Sequence, residues 1–307
     1  METTTRRSTI GRFAGPRVRI LERETHLGYL LLAPALLLLL VFIAYPFFFG
    51  IWLSLSNSQI GQTGHFIGLG NFEFERSDTV FIQSLVNTIS YTGITTVFKL
   101  ALGLVMALLL NQVFPAQRFF RAALLLPWII PSVLSTLAWR WMFDPTFSVV
   151  NWVMIHAHIS ASGVNWLGQT STALTSLMIV NVWRGTPFYG IAFLAGLQTI
   201  PVDLYEAARV DGASRWQQFR SITVPSLRPV LLVVLLLSTI LTFGDFTLPY
   251  VLTACAPFNS TCVLSTWAFQ IGVNGGYIGV GAAISLVLFP LLTAIVAGVL
   301  VVLRRPE

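Results

Sequence analysis

Long apolar stretches separated by short polar segments dominate the pattern of the chain. A helix that crosses a bilayer needs about 20 consecutive, predominantly apolar residues. Six stretches meet this requirement, at residues 29–55, 85–113, 119–143, 173–197, 229–251 and 278–303. The pattern predicts an all-α integral membrane protein with six transmembrane helices, and an even number of helices leaves both termini on the same side.

Composition supports a membrane protein. Of the 307 residues, 55% are hydrophobic and 10% are charged, whereas about 25% of the residues of a typical soluble protein are charged. A soluble globule needs more charge to cover its surface, and a disordered chain contains far fewer apolar residues. The composition therefore excludes both an ordinary soluble enzyme and a disordered protein.

The basic residues are distributed unevenly between the two sides of the predicted helices. Fourteen arginines lie in the N-terminal segment, the turn near residue 118, the loop after the fourth helix and the C-terminal tail; Arg76 and Arg140 lie on the opposite side. Basic residues concentrate on the cytoplasmic side of membrane proteins, so both termini are predicted to be cytoplasmic. Residues 1–27 are then a basic cytoplasmic segment and residues 28–305 the membrane domain. This placement argues against nucleic-acid binding.

The loop between the fourth and fifth predicted spans contains two signals for a helix N-terminus. Asp203 is followed at capping-box spacing by Glu206, and Ser214 is followed at the same spacing by Gln217. Gly212 lies between the two signals, where a left-handed residue ends a helix at little cost. The loop is predicted to form two short helices joined by a sharp turn at Gly212.

The two predicted loop helices have two interpretations. Pro225 and Pro229 are expected to end the second helix. The pair is either an amphipathic element on the lipid surface or a rigid knob that docks into a groove of another protein. Ala207, Ala208 and Gly212 permit close backbone approach, which favours docking.

The loop residues resemble the EAA loop of the membrane subunits of ABC importers. The matching residues are Glu-Ala-Ala at 206–208, Gly212 and Val-Pro at 224–225. Segments 121–151 and 182–201 are similar to carbohydrate permeases of the maltose type, and the N-terminal part resembles the first permease of the pair. The resemblance implies the type I ABC importer permease fold in a bacterial inner membrane.

The same resemblance implies an assembly of several subunits. The partners would be a second permease, two ATP-binding subunits and an extracytoplasmic solute-binding protein, with ATP and Mg²⁺ bound by the ATP-binding subunits. This chain would hold no cofactor of its own. The resemblance assigns contact with the ATPase to six residues of the loop at about 201–225, namely Glu206, Ala207, Ala208, Asp211, Gly212 and Pro225.

Reactive groups for enzyme chemistry are scarce. A phosphate-binding P-loop needs a lysine followed by serine or threonine, but the single lysine, Lys99, precedes Leu100 within a predicted span. All four histidines lie outside the spans, and Asp245 is the one clear carboxylate within them, which excludes an intramembrane protease. His156 and His158 provide too few ligands for a metal site. The chain is therefore expected to be neither an ATPase nor another enzyme.

Charged residues within spans are costly and suggest functional sites. Lys99 is interpreted as a structural residue that pairs or snorkels. The sequence RGTP, which begins at Arg184, is expected to break the fourth span. A secondary transporter that uses Arg184 and Asp245 as an ion relay is the alternative function; the EAA-like loop and the lack of an internal repeat favour the importer.

The resemblance implies a solute path midway through the membrane, on the third, fourth and fifth helices of the core. Six residues are assigned to it: Trp128, Ser132, Arg184, Gly185, Phe188 and Leu241. The aromatic faces of Trp128 and Phe188 suit the C–H groups of a sugar ring, and Ser132 suits a hydroxyl. The alternative is that these aromatic residues are plain core or lipid contacts. Arg184 would also tolerate an anionic solute.

The two cysteines, Cys255 and Cys262, lie in the outer segment 252–277. The outer side of the membrane is oxidising, which permits a disulfide that closes a small loop. Two free thiols are the other alternative, because the sequence does not supply the geometry that a disulfide requires.

Overall fold

A computed structural model describes residues 24–303 of the chain. The described part contains fourteen α-helices and no β-strand, apart from two isolated bridges. The predicted basic segment 1–27 lies almost wholly outside the described residues, so the division of the chain at residue 27 stays a prediction. The contacts divide the chain into two units, one ending at Trp52 and the other beginning at Leu53.

The described part of the N-terminal unit is an apolar helix. α1 (Glu24–Leu39) continues through a π-helical turn (Leu40–Ala44) into α2 (Tyr45–Ser54). Nearly every large apolar side chain from Tyr29 to Phe49 is exposed. A helix that is apolar on all sides belongs in lipid or against another apolar surface, and Gly28–Ser54 is long and apolar enough to span a membrane.

The second unit contains the remaining helices. Along the chain they are α3 (Gly70–Ser77), α4 (Thr79–Leu110), α5 (Gln117–Ile129), α6 (Ser132–Met142), α7 (Val149–His156), α8 (Thr170–Gln198), α9 (Val202–Val210), α10 (Arg215–Gln218), α11 (Val224–Phe243), α12 (Thr247–Leu252), α13 (Leu264–Phe269) and α14 (Ile278–Leu303). A π-helical turn at Phe219–Thr223 joins α10 to α11, and another at Gln270–Asn274 follows α13.

Four helices of the described chain are long and apolar enough to cross a membrane, and the bent pair α5–α6 gives a fifth candidate. α8, at the position of the fourth predicted span, is 29 residues long but does not qualify by composition, because Asn181, Arg184 and Pro187 lie in its middle. The all-α membrane class is confirmed, whereas the number of six spans stays a prediction.

The position of the helix break differs from the one expected. The third predicted span is bent by 92° between α5 and α6, because the residue before Pro131 is forced out of the helical conformation and Ile130 is extended (φ −61°, ψ 132°). The expected break at Arg184 is wrong. α8 continues through buried Pro187, as neighbouring helices allow in a membrane protein, and the Thr186 hydroxyl donates a hydrogen bond to the Val182 carbonyl (2.7 Å).

α8 packs along α4 with two glycines at the contact. A β-carbon on Gly103 would lie 2.4 Å from Cβ of Tyr189, and one on Gly190 would overlap the side chain of Met106. Glycine removes this overlap and lets the two helix backbones approach closely. Buried apolar clusters lie towards both ends of the α4–α8 contact, one around Tyr91 and Val180 and the other around Ala107 and Phe193. Lys99 of α4 and Asn181 and Arg184 of α8 lie between these clusters.

The segment that follows α12 contains a disulfide between Cys255 and Cys262, with a Cα–Cα distance of 4.4 Å. Of the two alternatives that the sequence leaves open, the structure contains the bonded form. The Asn87 side-chain amide of α4 donates hydrogen bonds to the carbonyls of Ser260 and Cys262, both at 2.8 Å. These bonds attach the disulfide loop to the helix bundle.

Candidate functional site

A polar cavity of about 280 Å³ lies among α4, α5, α8 and α11. Its walls consist of Lys99, Trp128, Asn181, Arg184, Gly185, Phe188, Tyr189, Ser238, Leu241, Thr242 and Asp245. Five of the six residues that the resemblance assigned to a solute path are therefore brought together. They are Trp128, Arg184, Gly185, Phe188 and Leu241.

One wall of the cavity is aromatic. The rings of Trp128 and Phe188 are stacked, with centroids 5.1 Å apart and planes inclined by 24°. The guanidinium carbon of Arg184 lies 6.0 Å from the centroid of the Trp128 ring. Trp128 remains 38% exposed, so the aromatic wall offers an accessible apolar surface next to a cation.

A network of buried polar groups forms another part of the lining. The ammonium group of Lys99 donates hydrogen bonds to Oδ1 of Asn181 (2.9 Å) and to the hydroxyl of Thr242 (2.8 Å). The Asn181 amide donates to the Tyr91 hydroxyl (2.8 Å), which donates to Oδ2 of Asp245 (3.1 Å). The network links α4 to α8 and α11. Lys99 is a buried structural pairing residue, as interpreted, but its partners are neutral groups.

Arg184 and Asp245 line the same cavity without forming an ion pair among the described residues. The Asp245 carboxylate accepts hydrogen bonds from Tyr91 and from the backbone N–H of Leu248 (3.3 Å). Nε of Arg184 is buried and has no hydrogen-bond partner in the described chain. The ion relay of the alternative function therefore lacks the direct contact between its two members.

The position of Gly185 has a packing explanation. A β-carbon at this residue would lie 2.5 Å from Cδ of Lys99. The side chain of Lys99 therefore occupies the space beside Gly185.

The structure does not bring Ser132 into the cavity. Ser132 is the first residue of α6, beyond the 92° bend, and it is half-buried outside the cavity lining. The sequence analysis missed Asn181, which lies three residues before Arg184 and so shares its helix face. Ser238 and Thr242 are four residues apart on α11 and share a face for the same reason. Helical spacing of polar residues within an apolar stretch could have identified Asn181.

The predicted turn at Gly212 is confirmed, but one of the two caps is wrong. Gly212 has φ +77°, and Ser214 forms a capping box with Gln217, at 2.7 Å and 3.3 Å. Asp203 does not cap α9. Pro201 occupies that position, and Asp203 lies in the first turn, where its charge still favours the helix dipole.

Pro225 and Pro229 do not end the second loop helix. α10 continues through the π-helical turn into α11, which gives one helix over Arg215–Phe243. Pro225 follows directly on the π-helical turn, at the beginning of α11, and Pro229 lies farther inside the helix. The second loop helix is therefore the beginning of the helix that lines the cavity at Leu241.

The residues assigned to ATPase contact form an accessible surface on this loop. Five of the six residues are exposed, and Ala208 is half-buried. Glu206 lies 3.7 Å from the exposed Arg209. The hydroxyls of Tyr205 and Thr223 are 2.9 Å apart and link α9 to the π-helical turn. Exposed apolar side chains surround these residues, namely those of Leu204, Val210 and Trp216.

The helical fold, the intramembrane cavity and the exposed two-helix loop define a permease subunit of an ABC importer. The chain belongs to the family described as the inner membrane component of binding-protein-dependent transport systems, whose model matches residues 99–305. The prediction of an importer permease is confirmed, and the chain is a multi-pass membrane protein. The comparisons give no support to a secondary transporter.

Similar proteins cover nearly the whole chain. It is 39% identical over 270 residues to the trehalose/maltose transport system permease protein MalF of Thermococcus litoralis, covering 88% of this chain and 90% of the relative. It is 35% identical to the sulfoquinovosyl glycerol transport system permease protein SmoG of Agrobacterium fabrum, covering 92% and 91%. A bacterial alginate ABC transporter solved with an alginate pentasaccharide-bound periplasmic protein has a matching chain with TM-score 0.81 and 25% identity, covering 94% of this chain and 96% of that one.

Proposed function

We propose that this permease imports a sugar or oligosaccharide and that the cavity around Trp128 and Arg184 is its half of the solute site. The stacked pair of Trp128 and Phe188 beside a polar wall carries the proposal. A sugar presents apolar C–H faces and polar hydroxyl edges, and such a cavity offers a surface for each. The named relatives, which transport trehalose, maltose and sulfoquinovosyl glycerol, support the same class of solute.

The size of the cavity fits a shared path. At about 280 Å³ it lies at the lower end of the range for small-molecule sites. It suits one sugar ring rather than a whole oligosaccharide. A second permease would supply the facing wall, so that the path lies between the two subunits.

The exposed loop would couple the path to ATP hydrolysis. The proposed assembly adds two ATP-binding subunits, which bind ATP and Mg²⁺, and an extracytoplasmic solute-binding protein that delivers the sugar. The loop residues 201–225 would dock into a groove of an ATP-binding subunit, in the helix-in-groove mode. Closure of the ATPases would move the loop and turn the path from inward-facing to outward-facing.

The proposed orientation of the chain in the membrane is supported by the coupling role of the loop and by the distribution of arginine. The coupling loop and both termini would lie on the cytoplasmic side of a bacterial inner membrane, where arginine concentrates. The disulfide loop after α12 would then lie on the oxidising outer side. Residues 28–305 would form the permease domain, and the basic segment 1–27 would remain cytoplasmic.

Transport by the complete complex tests the proposal. The complex, purified with its partner subunits and reconstituted in liposomes, is expected to accumulate a radiolabelled sugar in the presence of ATP, with trehalose, maltose and glucuronic acid as the compounds tested. Trp128→Ala and Phe188→Ala should each reduce uptake about fivefold, since an aromatic contact contributes about 1 kcal/mol. Trp141→Ala, at an 81% exposed position outside the cavity, is the matched control. Unchanged uptake in both cavity variants would show that the cavity is not the solute site.

A further inference from the structure

The cavity contains two cationic side chains and one carboxylate, namely Lys99, Arg184 and Asp245. Lys99 and Asp245 belong to the same hydrogen-bonded network, through Asn181 and Tyr91. The network spreads the charges of Lys99 and Asp245 over neutral donors and acceptors. Arg184 stands outside it.

One carboxylate faces both cations, so the cavity has one positive charge in excess, and Arg184 is the cation outside the hydrogen-bonded network. It forms no ion pair among the described residues, and its buried Nε has no hydrogen-bond partner there. Its guanidinium lies beside the Trp128 ring and borders the open space of the cavity. A partly buried charge in a membrane protein is costly unless it is paired, and a guanidinium offers several donors in a plane that matches a carboxylate, a phosphate or a sulfonate.

We propose that the solute carries an anionic group, a carboxylate, phosphate or sulfonate on a sugar, and that Arg184 binds this group. The sugar ring would lie against the aromatic wall of Trp128 and Phe188. This inference rests on the proposed function, because it assumes that the cavity is the solute site. It adds a charge requirement that a permease for neutral sugars does not have.

The chain allows a direct measurement of the potential in the cavity. Both cysteines are in the disulfide, so no free cysteine is present in the described chain. Leu241→Cys therefore places one reactive thiol on this subunit, at an exposed position in the cavity wall. The complex in lipid nanodiscs is treated with an anionic sulfonatoethyl or a cationic trimethylammonioethyl methanethiosulfonate. The rate of modification by the anionic reagent is divided by the rate by the cationic reagent. This ratio is then divided by the same ratio measured for mercaptoethanol in solution.

A positive cavity is expected to raise this normalised ratio about tenfold above one, because an uncompensated charge at this range has a strong effect at low effective dielectric. Arg184→Gln should return the normalised ratio to one or below, and Arg184→Lys should retain most of the increase above one. Arg140→Gln, at an exposed position outside the cavity, should leave the ratio unchanged. A normalised ratio of one or below with Arg184 intact would overturn the inference. An acidic residue of the second permease that neutralised Arg184 would give this result.

Protection by sugars separates the failure of this inference from the failure of the proposed function. Glucuronic acid should protect the Leu241→Cys thiol from uncharged N-ethylmaleimide at concentrations at least about tenfold lower than glucose, for the same electrostatic reason. Equal protection by the two sugars would overturn the anionic requirement and leave a carbohydrate site in place. If neither sugar protects the thiol, the carbohydrate function of the cavity fails and the inference fails with it.

Discussion

The side chain of Lys99 occupies the space that the missing β-carbon of Gly185 leaves open. A β-carbon on Gly185 would lie 2.5 Å from Cδ of Lys99. The lysine stem cannot move aside freely, because its ammonium group is held by Asn181 and Thr242. The glycine of α8 and the lysine of α4 therefore form one packing unit at the edge of the cavity.

Gly185→Ala is expected to displace Lys99 and to break at least one of its hydrogen bonds. Overpacking of this kind costs about 1–3 kcal/mol, so the melting temperature of the purified subunit and sugar uptake should both fall. Gly93→Ala is the matched control, since a β-carbon on Gly93 of α4 would have nothing within 4 Å of it, and alanine favours a helix over glycine. Equal melting temperatures for Gly185→Ala and the parent protein would contradict this packing.

Gly212 tests the geometry of the coupling loop. Its φ of +77° disfavours any residue with a β-carbon, although the space around it is open. Gly212→Val should cost about 1–2 kcal/mol in backbone strain and weaken retention of the ATP-binding subunits, or uncouple ATP hydrolysis from uptake. Gly212→Asn should retain most of both activities, because asparagine tolerates the left-handed conformation. If the Gly212→Val and Gly212→Asn variants retain the ATP-binding subunits and take up sugar equally well, the turn has no role in coupling.

Ser238 and Ser132 distinguish the observed cavity from the one that the resemblance implied. Ser238 lines the cavity and Ser132 does not. Ser238→Ala should weaken the apparent affinity for the transported sugar by about fivefold, which corresponds to the loss of one hydrogen bond. Ser132→Ala should leave it unchanged. The reverse result in the uptake assay would place the solute on the other side of the bend between α5 and α6.

Glu75 makes stability depend on pH. Burial, and secondly the neighbouring Asp78 carboxylate, raises the pKa of Glu75 from 4.5 to about 7, and its Oε1 has no hydrogen-bond partner in the described chain. Between pH 4.5 and 7 the folded protein binds more protons than the unfolded chain, so stability falls as the pH rises through this window.

Glu75→Gln should therefore raise the melting temperature at pH 8, where the ionised carboxylate destabilises the fold by up to about 3 kcal/mol. At pH 4 the variant and the parent should melt at similar temperatures. Glu73→Gln, at an exposed position of the same helix, is the control and should show no such pH-dependent gain. A gain for Glu75→Gln that is equal at both pH values would exclude titration of this carboxyl as the cause.

Hydrophobic length predicted the membrane class, because exposed apolar stretches of more than 20 residues have few alternatives to a bilayer. Hydrophobic length was less informative for α8, because the middle of this helix is packed inside the protein and contains polar residues that line the cavity. The sequence contains helix-breaking signals at both Pro131 and Pro187, but only tertiary packing decides which one bends the chain. The bend at Pro131 also explains why Ser132 lies outside the cavity lining, whereas Trp128 and Phe188 stack in one wall of the cavity.

The joined helix Arg215–Phe243 also determines how a force applied at the loop is transmitted. At 1.5 Å per residue its 29 residues extend over about 43 Å, from the capping box at Ser214 to the cavity at Leu241 and Thr242. Because this helix is continuous, a rotation of its loop end about the helix axis would also rotate its cavity end. The cavity end holds the Thr242 hydroxyl, which accepts a hydrogen bond from Lys99. The π-helical turn at Phe219–Thr223 interrupts the regular hydrogen-bond pattern between the loop and the cavity. If the loop docks on an ATP-binding subunit, as proposed, the stiffness of this turn would set how much of a rotation at the loop reaches the cavity.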